Sequence, residues 1–238
     1  TGITTGSNNT LIGLSAGANI TTASLNTAVG KDALKNNTDG TRNVAIGALA
    51  LDANTTANNN TAVGYNSLTE NTTGNSNVAF GTFALDANTT ANDNTAIGYG
   101  TATSNTTGAS NTAIGRSALS SNSTGSNNTC IGHGAMDANT TASNNTAIGR
   151  SALEANTTGS SNAAVGSNSS KANTTGFYNS ALGHGSLFAN TTGNNNVAIG
   201  YESLVANTTG GFCVAVGALA LDANLSLIHI SEPTRQSL

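Results

Sequence analysis

Carboxylates recur at one place in this chain. Asp52, Asp86, Asp137, Glu154 and Asp222 each stand five residues after a glycine, and Asp137 and Glu154 are 17 residues apart. Two carboxylates held a few ångströms apart are the equipment of polysaccharide cleavage. The residue directly after the same series of glycines is also chemically active: Lys31, Tyr65, Tyr99, Arg116, His133, Arg150, His184 and Tyr201. Tyrosine faces pack on sugar rings, and arginine forks match carboxylates or phosphates. Thiols and imidazoles are few. Cys130 and Cys213 fall in different contexts, far apart in sequence, as do His133, His184 and His229. That scatter gives neither a disulfide nor a metal centre, and the reading carries no cofactor.

What positions these residues is a repeat. Gly13, Gly30, Gly47 and every seventeenth residue onward to Gly217 is glycine, 13 times without an insertion or deletion. A period of this kind marks a stacked architecture. Each column then reads as an environment. Ile, Val, Phe or Leu precedes the glycine, as at Ile97, Ile114 and Ile148 before Gly98, Gly115 and Gly149. Ala stands two before it, except Leu11 and Cys130. Asn stands four before it, as at Asn94, Asn111 and Asn145, except Cys213. Leu dominates four after it, as at Leu119 and Leu153, with Met136 once and gaps at Gly17, Ala102 and Ser170. Asn returns seven after it, as at Asn105 and Asn156, except Ile20.

The run Asn-Thr-Ala-Ile alternates, and alternation belongs to a strand. Asn-Thr-Thr-Gly is turn chemistry, with Asn or Gly supplying positive φ. The six-residue piece around Ala-Leu is too short for a helix on its own, so a second extended piece or one helical turn is expected there. The fold predicted is all-β, a parallel β-solenoid of 17-residue turns about 4.8 Å apart. Identical residues stack into ladders, and stacked Asn amides bond from turn to turn. The Ile and Leu columns are expected to form the core and the Ala column to face outward. A small apolar outer stripe lets another chain approach, so a homotrimer with its Ala faces together is expected.

Residues 1–225 form one repeat array. Ile3-Thr4-Thr5-Gly6 matches the end of a preceding turn, so the chain reads as a slice of a longer array. Residues 226–238 (SLIHISEPTRQSL) leave the register. They read as translated sequencing-adapter read-through, or alternatively as a native cap. Lys plus Arg number 7 against 11 Asp plus Glu, so no basic stripe addresses nucleic acid. No apolar run of 18 residues suits a membrane. Asn-x-Thr triplets such as Asn54-Thr55-Thr56 are read as repeat turns rather than glycosylation sites.

In strict register, Asn-Thr/Val-Ala-Ile/Val-Gly resembles the head repeats of trimeric autotransporter adhesins. The longer unit with Asn-Thr-Thr-Gly is similar to repeats of bacteriophage tail fibres and of large bacterial surface proteins. The resemblance implies a left-handed β-roll with three chains side by side, outside the cell on a bacterial surface or a virion. The expected function is a structural, adhesive fibre segment with no enzymatic activity. Its contact stripe for cell-surface glycans or other receptors is Tyr65, Tyr99, Arg116, His133, Arg150, His184 and Tyr201. Two alternatives stand beside it. One is an ice-binding solenoid using regular Thr ladders. The other is a polysaccharide-acting enzyme using Asp137 and Glu154.

Overall fold

The computed structural model describes residues 5–223; the out-of-register tail lies outside them. Thirteen three-residue strands, from β1 (Thr10–Ile12) to β13 (Val214–Val216), form one sheet in chain order, every neighbouring pair parallel. The register is one turn. Between β6 (Thr95–Ile97) and β7 (Thr112–Ile114), Thr95 faces Thr112, Ala96 faces Ala113 and Ile97 faces Ile114. The expected parallel β-solenoid of 17-residue turns is what the chain adopts.

Backbone hydrogen bonds tie each turn to its neighbours all the way round. On the strand side, the Gly98 amide donates to the Phe80 carbonyl and the Thr95 amide to the Asn111 carbonyl, both at 2.8 Å. The Leu119 amide donates to the Ala135 carbonyl at 2.9 Å on the next stretch. On the third, the Thr106 amide donates to the Ser123 carbonyl at 3.0 Å. A buried backbone group left unpaired is costly, and this arrangement leaves each turn dependent on the next.

The two faces of the strand are the reverse of the expectation. Ala28, Ala45, Ala62, Ala79, Ala147 and their stacked equivalents are buried inside the coil, against the Leu column. The Ile/Val column, with Ile97, Ile114 and Ile148, faces outward. Ile97 is 38% exposed, Phe80 55% and Leu182 51%. The reason is room. Leu34, Leu51, Leu85, Leu119 and Leu153 enter the narrow interior from the opposite wall and are fully buried. Only a methyl fits across from them.

The exceptions to the columns confirm this facing. Where the Leu column holds Gly17, the Ala column holds Leu11 and the second Asn column holds Ile20. A β-carbon added at Gly17 would meet the Leu11 and Ile20 side chains at 2.7 and 2.8 Å, so those two fill the missing leucine's space. Cys130 and Met136, exceptions in facing columns of one turn, touch at 3.5 Å. Ser170 has no such compensation. Its hydroxyl is buried without a partner, and the apolar core divides there, one cluster ending at Ala164 and the next beginning at Ala181.

The Ala-Leu stretch is neither extended nor a helical turn. It alternates hand, with Leu85, Leu119 and Leu153 at φ 51°, 55° and 50°. A left-handed leucine costs about 1–2 kcal/mol, and its full burial returns about 1.5–3 kcal/mol. Positive φ is also displaced from the glycine of Asn-Thr-Thr-Gly. It falls two residues later, at Arg42, Ser76, Ser110 and Asn127. The glycine that ends each strand is obligatory on two counts. Gly115 has φ 127°, and a β-carbon there would sit 2.6 Å from the Gly132 carbonyl oxygen.

Both Asn columns are buried hydrogen-bond ladders, as expected. The Asn111 backbone amide donates to Asn94 Oδ1 at 2.9 Å, and Asn111 Nδ2 donates to Asn94 Oδ1 and the Gly125 carbonyl. In the second column, Asn122 Nδ2 donates to Asn105 Oδ1 at 2.7 Å and to the Gly125 carbonyl at 3.0 Å. Asn156 bonds Asn139 in the same way. Asn54 and Asn88, the asparagines of Asn-x-Thr triplets, are fully buried in this ladder. The Thr after each one, such as Thr72, donates its hydroxyl to a carbonyl of the following turn, that of Thr89 at 3.1 Å.

Two substitutions test these assignments in opposite directions. Asn111→Ala orphans the Asn128 amide and removes one of the two donors to the Gly125 carbonyl, and should destabilise by about 1–3 kcal/mol. Ser170→Leu restores the core column and removes an unpartnered hydroxyl, and should stabilise by about 1–3 kcal/mol. Urea titration followed by circular dichroism reads both.

Candidate contact surface

The residue after each strand-ending glycine emerges on the outside of the turn. Tyr65, Tyr99, Arg116, His133, Arg150, His184 and Tyr201 are all exposed, the first two at 48% and 54%. The structure divides them into two groups. Tyr65, Tyr99 and Arg116 join a continuous row through a residue the sequence reading passed over, Phe83. The Tyr65 and Phe83 rings pack edge to face at 5.6 Å, and Phe83 and Tyr99 at 6.0 Å. The Arg116 guanidinium lies 6.0 Å from the Tyr99 ring centre. Phe83 was missed because it stands one position later, two after its glycine. Its left-handed φ of 59° accompanies its packing between the two tyrosines.

The second group lies further along the rod. The His184 and Tyr201 rings stack at 5.7 Å, 11° from parallel. Asn168, His184, Gly185, Phe188, Glu202 and Val205 line a shallow open depression of about 230 Å³ beside them. The neighbouring Glu202, through its hydrogen bond and then its charge, pushes the Tyr201 hydroxyl above the usual tyrosine range. His133 and Arg150 carry the stripe between the two groups.

Asp137 and Glu154 of the carboxylate column each have another partner. Ser120 donates its hydroxyl to Asp137, while Glu154 pairs with Lys171 at 3.3 Å. Earlier turns are crowded with acid. Burial raises Asp52, with further upward contributions from Asp32 and Glu70 against a lowering one from Lys35. Burial likewise raises Asp86, and each of the two has an oxygen without a partner. Asp32 is lowered by Lys31, which holds it at 3.1 Å, and by Lys35 at 3.3 Å.

Among the described residues no group of three or more His, Cys, Asp or Glu side chains is placed to hold a metal ion. No helix there is long and apolar enough to cross a membrane. Burial pushes the Cys130 thiol above its ordinary range, and Cys213 is also buried. Compared with protein families, curated proteins and solved structures, the chain has no match.

A second surface emerges from the inverted strand. Its two outward columns, mostly Thr or Val at one end, with Ala163 and Ser180, and mostly Ile or Val at the other, with Phe80 and Leu182, run the length of the rod without a single charged residue. Over roughly 60 Å, two such columns cover on the order of 500 Å², at the upper end of what a soluble monomer leaves bare.

The partly buried acids give a pH test. A carboxyl whose folded value is raised opposes folding once it ionises. That penalty is absent below the unfolded value near 3.8 and complete above the raised folded value. Asp86→Asn should therefore raise the melting temperature at neutral pH. Its advantage should shrink as the pH is lowered towards 3.8, which paired thermal melts across that range would show.

Proposed function

We propose that this chain is a rigid segment of a self-associating, adhesive fibre, displayed outside the cell on a bacterial surface or a virion. The observation that carries the reading is the charge-free apolar face running along every strand. Exposed apolar surface at the upper end of what a monomer leaves bare, in so regular a strip, suits a cover, and a second copy in the same register offers an equally long, equally apolar one. Three copies around an axis give each outward Ile/Val face a place away from water, in line with the resemblance to trimeric adhesin heads. The interface is the Thr/Val–Ile/Val face and not the Ala column, because the alanines lie inside the coil. The contact stripe is repeated around such a rod, so that weak contacts with cell-surface glycans add up by multivalency.

Sedimentation equilibrium tests the assembly. The protein should run at three times its 23.4 kDa mass. Ile114→Lys/Ile148→Lys should yield smaller species of unchanged secondary structure. A well-folded wild-type monomer at all concentrations would remove the reading.

A second reading draws on the same face. Thr95, Thr112, Thr129 and Thr146 stand in register on four consecutive strands beside Ile97, Ile114, Ile131 and Ile148. A regular Thr ladder of this kind could order water and bind ice. Val44, Val78, Ala163, Val197 and Val214 interrupt it elsewhere. The two readings need the same surface, so a thermal hysteresis assay of the assembled protein separates them.

A further inference from the structure

We propose that Tyr65, Phe83, Tyr99, Arg116, His133 and Arg150 form a binding track for a linear anionic polysaccharide lying along the rod. The inference rests on the adhesive reading above and names the ligand chemistry of its stripe. The six residues occupy consecutive turns, from Gly64 to Gly149. Their first half is aromatic. Edge-to-face contacts fix the three rings in a row, yet about half of each tyrosine is open to solvent. Exposed rings held in this way present surface to a sugar ring at little cost in side-chain freedom.

The second half carries two arginines, Arg116 and Arg150, with His133 between them. No Asp or Glu occurs from Asn94 to Met136, and the next two, Asp137 and Glu154, are taken up by Ser120 and Lys171. The lysines elsewhere differ. Lys31 and Lys35 are paired with Asp32, and Lys171 with Glu154. Among the described residues Arg116 and Arg150 form no ion pair, and Arg116 is held only over the Tyr99 ring. Two arginines without a carboxylate partner, two turns apart on one edge, favour an anion brought from outside. The chain as a whole carries net charge −4, which makes the patch local.

Spacing selects the ligand's shape. Turns recur about every 4.8 Å, a length close to that of one sugar ring in an extended chain. A polysaccharide with one carboxylate or sulfate per ring or disaccharide matches the cations in register, while its rings run on over the tyrosines. Nucleic acid is the poorer match, since two arginines neutralise few phosphates.

The experiment measures binding of the full chain to alginate oligosaccharides, chondroitin sulfate, dextran sulfate, cellohexaose and single-stranded DNA. The variants are Arg116→Gln/Arg150→Gln, Tyr65→Ala/Tyr99→Ala and, as a control from the same column, Lys31→Gln. Circular dichroism verifies that each is folded. The anionic saccharides should bind, with carboxylated and sulfated chains telling which group is preferred. The arginine pair should weaken binding about tenfold, the tyrosine pair should weaken it as well, and Lys31→Gln should leave it unchanged. Equal binding of single-stranded DNA, or retention of full affinity in both double variants, overturns the proposal. Binding of cellohexaose alone overturns it while leaving the adhesive reading intact, and binding of no saccharide removes both.

Discussion

One distance governs this molecule, the rise from each turn to the next. The buried asparagines of both ladders are bonded to their counterparts one turn away, so the spacing must be the same in both columns. The Asn ladders make that explicit. Asn94 Oδ1 accepts both from the backbone and from the side chain of Asn111, and in the second column Asn105 Oδ1 accepts from Asn122. In both columns the amides donate towards the earlier turn, so their dipoles align along the rod. Chained hydrogen bonds of this kind polarise one another. The closing glycines enforce the same rise sterically, because each lies against the next glycine's carbonyl.

That constraint explains why insertions are absent and why the core can be so thin. A single turn buries one Leu, two small residues and two asparagines, too little to order itself, and acquires stability only from its neighbours. The rod is accordingly sensitive where a column fails without compensation. Leu11 and Ile20 compensate for Gly17, and Cys130 packs against Met136. At Ser170 the apolar core divides.

The period, the strands and both Asn ladders were legible in the sequence, because stacking repeats each environment 13 times. The conformation of the turns was not, since it depends on left-handed leucines and on positive φ two residues past the turn glycine. The facing of the strand was not. Larger Ile was assigned to the core and smaller Ala to the outside, on size alone. The sequence did hold a signal for the correct facing. Leu11 opposite Gly17 and Cys130 opposite Met136 show the Ala and Leu columns exchanging volume, which only facing columns do. Of the contact stripe, the exposure of Tyr65, Tyr99 and Arg116 was legible from column variability. Their union through Phe83 was not, since it depends on a left-handed residue in a neighbouring column. The partners of Asp137 and Glu154 were not foreseen, since Ser120 and Lys171 of the same column take up those carboxylates.

The inversion ties fold to function. Alanine inside permits a narrow coil; Ile and Val outside leave a face that copies of the chain can cover. Thiol reactivity at adjacent strand positions, in a background with Cys130→Ala and Cys213→Asn, tests this directly. A cysteine at Ala147 should react only when the whole rod unfolds. A cysteine at Ile148 should react faster as the protein is diluted and its subunits separate. Ready labelling at position 147, with position 148 protected at every concentration, would contradict the account.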